Sequence, residues 1–341
     1  MKENLKIAVL GTGYWAQFQI AAWMDIGCKV TAVWNRTTSR ARDTANRFDI
    51  PNVYETVDQL LCEADFDIVD IITDAEVHEE LVLAAAAKGK PVICQKPMSL
   101  DEESCRRMVD ACEKAGVWYA IHENFRYQPQ FQSLKHHMET ASLGKVLHAH
   151  IQMRSPDRDI IRKQPALATM EHMALRDMGP HIFDVVRFLF GEIDEIQTIP
   201  VSSYQDIPVD DTALSLLRMQ EGFPVLCTLA HKFHYKAFIQ FENGTITLNA
   251  ENNIEVENGQ NIAFYPFEEP TRLSYIPDDD WAIHGSHVFA AIPTCLQALR
   301  YAFVNQQEAE TSGKDNLKTM QAVFAAIRSV ELKKPQACGK D

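Results

Sequence analysis

The stretch "IAVLGTGYWAQFQIAAW" sets Gly11-Thr12-Gly13-Tyr14-Trp15-Ala16 between an apolar run and a helical pattern. Gly11 permits a tight turn, Gly13 lets the backbone approach a pyrophosphate, and Ala16 lets a helix lie close on a sheet. Free N–H groups at the start of that helix favour an anion, and Thr12, Tyr14 and Trp15 complete the candidate nucleotide loop. The next apolar run ends "AVWNRTTSRAR". A carboxylate at this place would bind both hydroxyls of an NAD ribose, but Asn35 stands there, followed by Arg36 and Arg40. No acid repels a 2′-phosphate, and guanidinium groups suit one. The expected cofactor is therefore NADP or NAD, with NADP favoured, although Asn35 can still hydrogen-bond an NAD ribose. The plainer alternative is a solvated helix start with Ser/Thr caps and outward arginines.

Two further places hold groups able to handle charge. "LRDMGPHIFDVV" spaces Asp177 and His181 four residues apart, which puts both on one face of a helix. Pro180 suits a first helical turn, so the helix is expected to begin near it, with His181 close to the N-terminal end. There the dipole opposes an imidazolium and favours a neutral base, able to take a hydroxyl proton as hydride leaves the same carbon. The alternative is that His181 caps a helix and Asp184 pairs with a nearby arginine. In "CQKPMSL", Lys96 follows the apolar run "KPVI". A lysine in such a turn is usually a solvated charge, and its meaning depends on what the chain brings beside it.

The elements that must position these groups show in the alternation of patterns. "KIAVLG", "KVTAVWN", "FDIVDIIT", "KPVICQ" and "VWYAIHE" read as strands, and the segments between several of them as helices, two closed by Gly89 and Gly116. Near-continuous apolar strands alternating with helices mean a parallel sheet covered on both faces. Beyond about residue 145, helical material gives way to "ALSLLRM", "PVLCTLAHKF", "AFIQFEN", "GTITLNAE" and "NIEVENG", separated by turn signals such as Asn243-Gly244, as in an antiparallel meander. Two helical segments follow, and the tail "KKPQACGKD" reads as frayed. The fold expectation is α/β: a doubly wound parallel sheet over 1–122, then an α/β domain over 123–341 with a large, open, mostly antiparallel sheet. A C-terminal helix is allowed to pack back on the first domain.

Composition narrows the partners. A formal net charge of −14 argues against nucleic acid or an anionic membrane surface. No apolar run approaches the roughly 20 residues of a membrane span, and the N-terminus lacks signal-peptide character. Eight cysteines show no CxxC pair and no zinc-like spacing, which suggests a reducing, cytoplasmic setting and no metal site.

Five motifs in order resemble the Gfo/Idh/MocA family, the glucose–fructose oxidoreductase and inositol dehydrogenase group. They are the glycine loop, "IITDAEVHEELVLAAAAKGKPVICQKPMS", "IHENFRYQPQF" with "SLGKV", "DMGPHIFDVVRFLFGE" and "ETSGKDNLKTMQAVFAAIRS". The resemblance implies hydride transfer between a nicotinamide and a hydroxyl or carbonyl of a sugar, sugar derivative or cyclitol. It makes Lys96 an active-site lysine beside the nicotinamide, where a fixed ammonium stabilises charge on the substrate oxygen. It also implies nucleotide contacts at Thr73, Asp74, His78, Gln95 and Asn124, with a structural role weighed for His78. Asp177 is the acidic partner, in contact with substrate or orienting His181. The family usually has Glu where this chain has Gln95, which removes a charge beside Lys96. Substrate contacts are expected from Glu123, Arg126, Tyr127 and Arg154 as well as Lys96, Asp177 and His181. "HENFRYQP" with "QKP" resembles a sub-group of sugar dehydrogenases, apiose-type enzymes among them. Two other functions fit the same chain: a glycoside-cleaving enzyme with tightly bound NAD, and a nucleotide-sensing regulator without catalysis. A homodimer or homotetramer is expected through the C-terminal sheet, because the helices can cover only one of its faces.

Overall fold

The computed structural model describes residues 4–154, 165–202, 209–230, 235–259, 261–270, 276–280 and 286–339. The chain divides into two compact units. The first comprises Met1–Asn124 with Leu273–Ile276 and Ile292–Met320; the second comprises Phe125–Arg272 with Pro277–Ala291 and Gln321–Asp341.

In the first unit, β1 (Lys6–Leu10), β2 (Lys29–Trp34), β3 (Asn52–Tyr54), β4 (Ile68–Ile71), β5 (Val92–Gln95) and β6 (Tyr119–His122) form one parallel sheet in the order β3-β2-β1-β4-β5-β6. This is the Rossmann order, with its switch point between β1 and β4. The strands are apolar because helices cover both faces: Ile7, Ala8, Val9, Leu10, Ile68, Val69 and Ile71 are fully buried. Helix α1 (Ala16–Asp25) starts straight after the glycine loop. The helix Glu102–Ala115 is capped by the Asp101 carboxylate, which accepts the Ser104 N–H at 2.8 Å, and is closed by Gly116 at φ 64°. The short β3 and the helix Val57–Glu63 were not read from sequence, because three and seven residues carry too little periodicity.

The second unit is built on a nine-stranded sheet. Its strands are β7 (Val146–Arg154), β8 (Ile193–Val201), β9 (Thr212–Met219), β10 (Pro224–Ala230), β11 (Lys236–Phe241), β12 (Gly244–Leu248), β13 (Ile254–Asn258), β14 (Asn261–Tyr265) and β15 (Gln336–Ala337). They lie in the order β14-β13-β12-β11-β7-β10-β9-β8-β15. All pairs are antiparallel except β7 with β10, so the expected meander is interrupted where β7 inserts between β11 and β10. The tail expected to fray instead closes the sheet: Gln336 pairs with Ile196, and the Cys338 N–H reaches Asp194 O at 2.9 Å. From Ala213 onward strand β9 alternates, with Ala213, Ser215 and Leu217 buried and Leu214 and Leu216 outward. The inner face meets the helix Gly179–Phe190, and Ser329 Oγ in the helix Gly313–Leu332 accepts the Thr198 N–H at 2.9 Å.

All eight cysteines are free thiols. Among the described residues, no helix is long and apolar enough to cross a membrane.

Candidate active site

The residues expected to hold a nucleotide lie at the tips of β1, β2, β4 and β5. Gly11 sits at φ 107°, and a Cβ there would lie 2.3 Å from the carbonyl oxygen of Ile72, so only glycine lets β1 turn against the end of β4. Gly13 differs: a Cβ there would meet nothing within 4 Å. Its bareness leaves room for a ligand, as a close backbone approach to pyrophosphate requires. The hydroxyls of Thr12 and Thr73 are buried and have no hydrogen-bond partner among the described residues. Two orphaned hydroxyls flanking an open glycine turn fit a dinucleotide, whose phosphate and ribose oxygens would satisfy them. Tyr14 and Trp15 pack edge-on with Phe18 and stiffen the entry of α1.

Asn35 is committed to the protein. Its Oδ1 accepts the Thr12 N–H at 3.1 Å, and its Nδ2 donates to Thr37 O at 3.1 Å. The side chain expected to meet a ribose thus also ties the glycine loop to the end of β2. Arg36 and Arg40 are exposed beside it, as is Asp74 at the end of β4.

Lys96 leaves the end of β5 half-buried, on a cis bond to Pro97. Gln95 meets it through the main chain: Gln95 Oε1 accepts the Lys96 N–H at 2.8 Å. His78 is wholly buried, with Nδ1 3.0 Å from Pro97 O and Nε2 3.1 Å from Thr73 O. Burial lowers its pKa, and the carbonyls oppose that shift. With both ring nitrogens against main-chain carbonyls, His78 links the Lys96 turn to the Thr73 loop, which supports the structural role weighed for it. Glu123 and Asn124 follow β6 and are buried.

The residues expected to handle the proton, Asp177 and His181, belong to the second unit. The helix Gly179–Phe190 does not begin at Pro180: a wide π-turn over Ala174–Met178 runs directly into it, with Met178 itself in right-handed helical backbone. Pro180 has no N–H for the carbonyl four residues back, and the wider turn accommodates its ring. His181 therefore does not face a free helix end, and the dipole argument for its neutrality fails. What the fold supplies instead is burial and stacking. His181 is 3% exposed, and its ring lies on Phe125 with centroids 3.6 Å apart and planes 12° apart. Asp177 sits in the π-turn, half-buried.

Arg126 is buried. Its Nε and Nη2 bind the two carboxylate oxygens of Asp184 at 2.8 and 2.5 Å, with both side chains buried, and its guanidinium lies 5.7 Å from the centre of the Phe188 ring. A forked pair out of water acts as a scaffold element, a role beside the substrate contact expected of Arg126. Tyr127 is buried beside it. Arg154 closes β7, but its side chain lies outside the described residues. The Phe125 stack and the buried Asp70 of β4 were not foreseen as functional. For Asp70 there was a signal: an acid in the middle of the apolar run "DIVDIIT".

Residues 5–123 match the oxidoreductase family with an NAD-binding Rossmann fold, and residues 131–251 match the GFO/IDH/MocA C-terminal domain. The chain belongs to the GFO/IDH/MocA oxidoreductase family. It is 31% identical to a D-apiose dehydrogenase of Paraburkholderia graminis, over 98% of this chain and 92% of the relative. An inositol 2-dehydrogenase of Acidothermus cellulolyticus is 33% identical, over 74% of this chain and 75% of its own. Among solved structures, an oxidoreductase from Agrobacterium radiobacter in complex with NAD+, L-tartaric acid and magnesium superposes with a TM-score of 0.92, at 29% identity and 98% coverage of both chains.

Proposed function

We propose that this oxidoreductase is an NAD(P)-dependent dehydrogenase acting on a hydroxyl or carbonyl of a sugar, sugar derivative or cyclitol. The observation that carries the reading is a single chain holding an open dinucleotide turn at Gly13, a lysine at the tip of β5 and a buried, ring-stacked histidine. Relatives that act on D-apiose and inositol support the substrate class, as does the likeness of "HENFRYQP" and "QKP" to sugar dehydrogenases. A bound nicotinamide supplies the hydride acceptor or donor. The turn Gly11–Trp15 with the Thr12 and Thr73 hydroxyls would hold the dinucleotide. His181 takes the hydroxyl proton, Asp177 orients it or the substrate, and Lys96 stabilises the charge that grows on the same oxygen.

The cofactor is read as NADP or NAD, with NADP favoured. The exposed Arg36 and Arg40 at the end of β2, and the absence of an acid at Asn35, support this. Tighter binding of NADP than NAD, weakened by Arg36→Ala, is expected in fluorescence titrations; equal or tighter NAD binding ends that preference. Free thiols at all eight cysteines suit the cytoplasm.

The test of function is an absorbance screen of sugars and inositols with both cofactors. Net formation of reduced cofactor with a member of the panel is expected. Glycoside cleavage without net cofactor turnover, in protein purified with NAD, would replace this reading by the cleaving one. Cofactor binding with no reaction on any member would favour a regulator.

A further inference from the structure

Behind Lys96 lies a run of polar groups that the proposed reaction leaves unused. Asp70 stands in β4 and is wholly buried. Its carboxylate accepts the Trp23 indole N–H at 2.6 Å and the Gln19 side-chain amide at 2.7 and 2.9 Å. Gln19 Oε1 accepts from Gln95 Nε2 at 2.8 Å, and Gln95 Oε1 accepts the Lys96 backbone N–H at 2.8 Å. Gln95 Nε2 also lies 3.4 Å from His122 Nδ1. The bonds pass from β4 to α1 to the tip of β5 and end on the peptide of Lys96.

A glutamine amide can point either way, so something must set the direction of such a chain. An ionised carboxylate only accepts. Gln19 must therefore turn its NH2 group to Asp70 and its oxygen away. Gln95 must answer that oxygen with its own NH2 group, which leaves the Gln95 oxygen facing the Lys96 N–H. An acid in an apolar strand costs desolvation energy that a valine or leucine there would not, so packing does not account for it. We propose that Asp70 is a positioning residue for Lys96, acting through Gln19 and Gln95 to fix the hydrogen-bond direction at the strand end from which the lysine departs. Its effect on turnover rests on the reading of Lys96 given above.

The direction can be reversed by moving the charge. In Asp70→Asn, the new amide turns its oxygen to the Trp23 N–H and its NH2 group to Gln19. Both glutamines then turn over, and the Gln95 NH2 group is set against the Lys96 N–H. In Gln95→Glu, the acceptor for Lys96 survives, but a carboxylate now faces the Gln19 oxygen. In the double variant every donor meets an acceptor again, with the chain running the other way.

Three readings decide it, taken at about pH 8.5 so that Asp70, whose pKa burial raises to about 7, is ionised. They are hydrogen exchange of the Lys96 amide by NMR, kcat on the substrate found in the screen, and NADH affinity by fluorescence. Each single variant is expected to speed exchange and lower kcat by about tenfold or more, and Asp70→Asn is expected to keep NADH affinity within about threefold of the unmodified protein. The double variant is expected to recover most of both losses. A double variant as impaired as the worse single overturns the proposal, and so does Gln95→Glu behaving like the unmodified protein. Should Asp70→Asn fail to fold, Gln95→Glu alone decides, because a Gln95 that merely accepts the Lys96 N–H would tolerate the change. The exchange reading needs no substrate: a barren sugar screen counts against the proposed function, while the exchange pattern still judges the chain of bonds.

Discussion

Gly11 and Gly13 share a motif but not a reason. Gly11→Ala drives a Cβ to within 2.3 Å of the Ile72 carbonyl oxygen at a backbone angle of φ 107°, so it is expected to lower the melting temperature. Gly13→Val meets open space in the protein alone. It should melt normally and lose nucleotide binding, because the branched side chain occupies the approach of the pyrophosphate; unchanged NADH affinity would refute that placement. For the chemistry, His181→Ala should lower kcat by about 10²–10⁴-fold with cofactor affinity nearly intact. Lys96→Met should cost a similar or larger factor through lost electrostatic stabilisation. The double variant should lose less than the product of the two, as residues acting together do. Full turnover in His181→Ala would remove it as the base. Asp70 makes a separate prediction for stability. Its folded pKa of about 7 lies above the ordinary 3.8 because of burial, so between those values the folded state holds a proton that the unfolded chain has released. Its contribution therefore falls as pH rises through that window and levels off above it, by on the order of a few kcal/mol. Urea unfolding from pH 5 to pH 8 should show this slope in the unmodified protein and not in Asp70→Asn; parallel slopes would contradict it.

At the scale of elements, the helix carrying His181 is held from outside its own sequence. The Arg126–Asp184 pair ties it to the segment Phe125–Tyr127, and Phe125 in that segment supplies the surface on which the imidazole stacks. Arg126→Ala leaves the Asp184 carboxylate buried without its partner and is expected to destabilise by about 3–5 kcal/mol. Chemical denaturation reads this directly. A variant of normal stability with only a raised KM would fit the expected substrate contact instead. The π-turn before His181 belongs to the same scale. It follows from one proline inside a continuous helical path, and it takes His181 away from the helix end where a dipole would have acted.

For the whole molecule, the outer face of the nine-stranded sheet stands out. Ile199 and Leu214 are cross-strand partners on β8 and β9 and Leu216 pairs with Leu226, yet Ile199 is 62% and Leu216 54% exposed. Phe238 and Leu147 extend the apolar surface. Exposed apolar residues on a sheet face suit association, and the expected homodimer or homotetramer would use this face. Sedimentation should give an oligomer at micromolar concentration, and Leu216→Lys should shift it toward monomer; a monomeric unmodified protein would count against the reading.

The sequence by itself determined the local framework. Apolar runs of strand length alternating with helical patterns required a parallel sheet, and the glycine turn after the first run located its nucleotide end. The alternation of "ALSLLRM" required a half-covered antiparallel strand. The ordered motifs brought Lys96, Asp177 and His181 forward as reactive groups before any geometry was known. Only the tertiary structure decided which polar side chains face one another. Arg126 and Asp184 are 58 residues apart, and Gln19 and Gln95 are 76 apart. No periodicity links such positions, so Arg126 read as a substrate contact and Asp70 as an ordinary strand residue. The tail read as frayed for the same reason: two residues of β15 carry no pattern of their own, and become a strand only because the edge of β8 offers them partners.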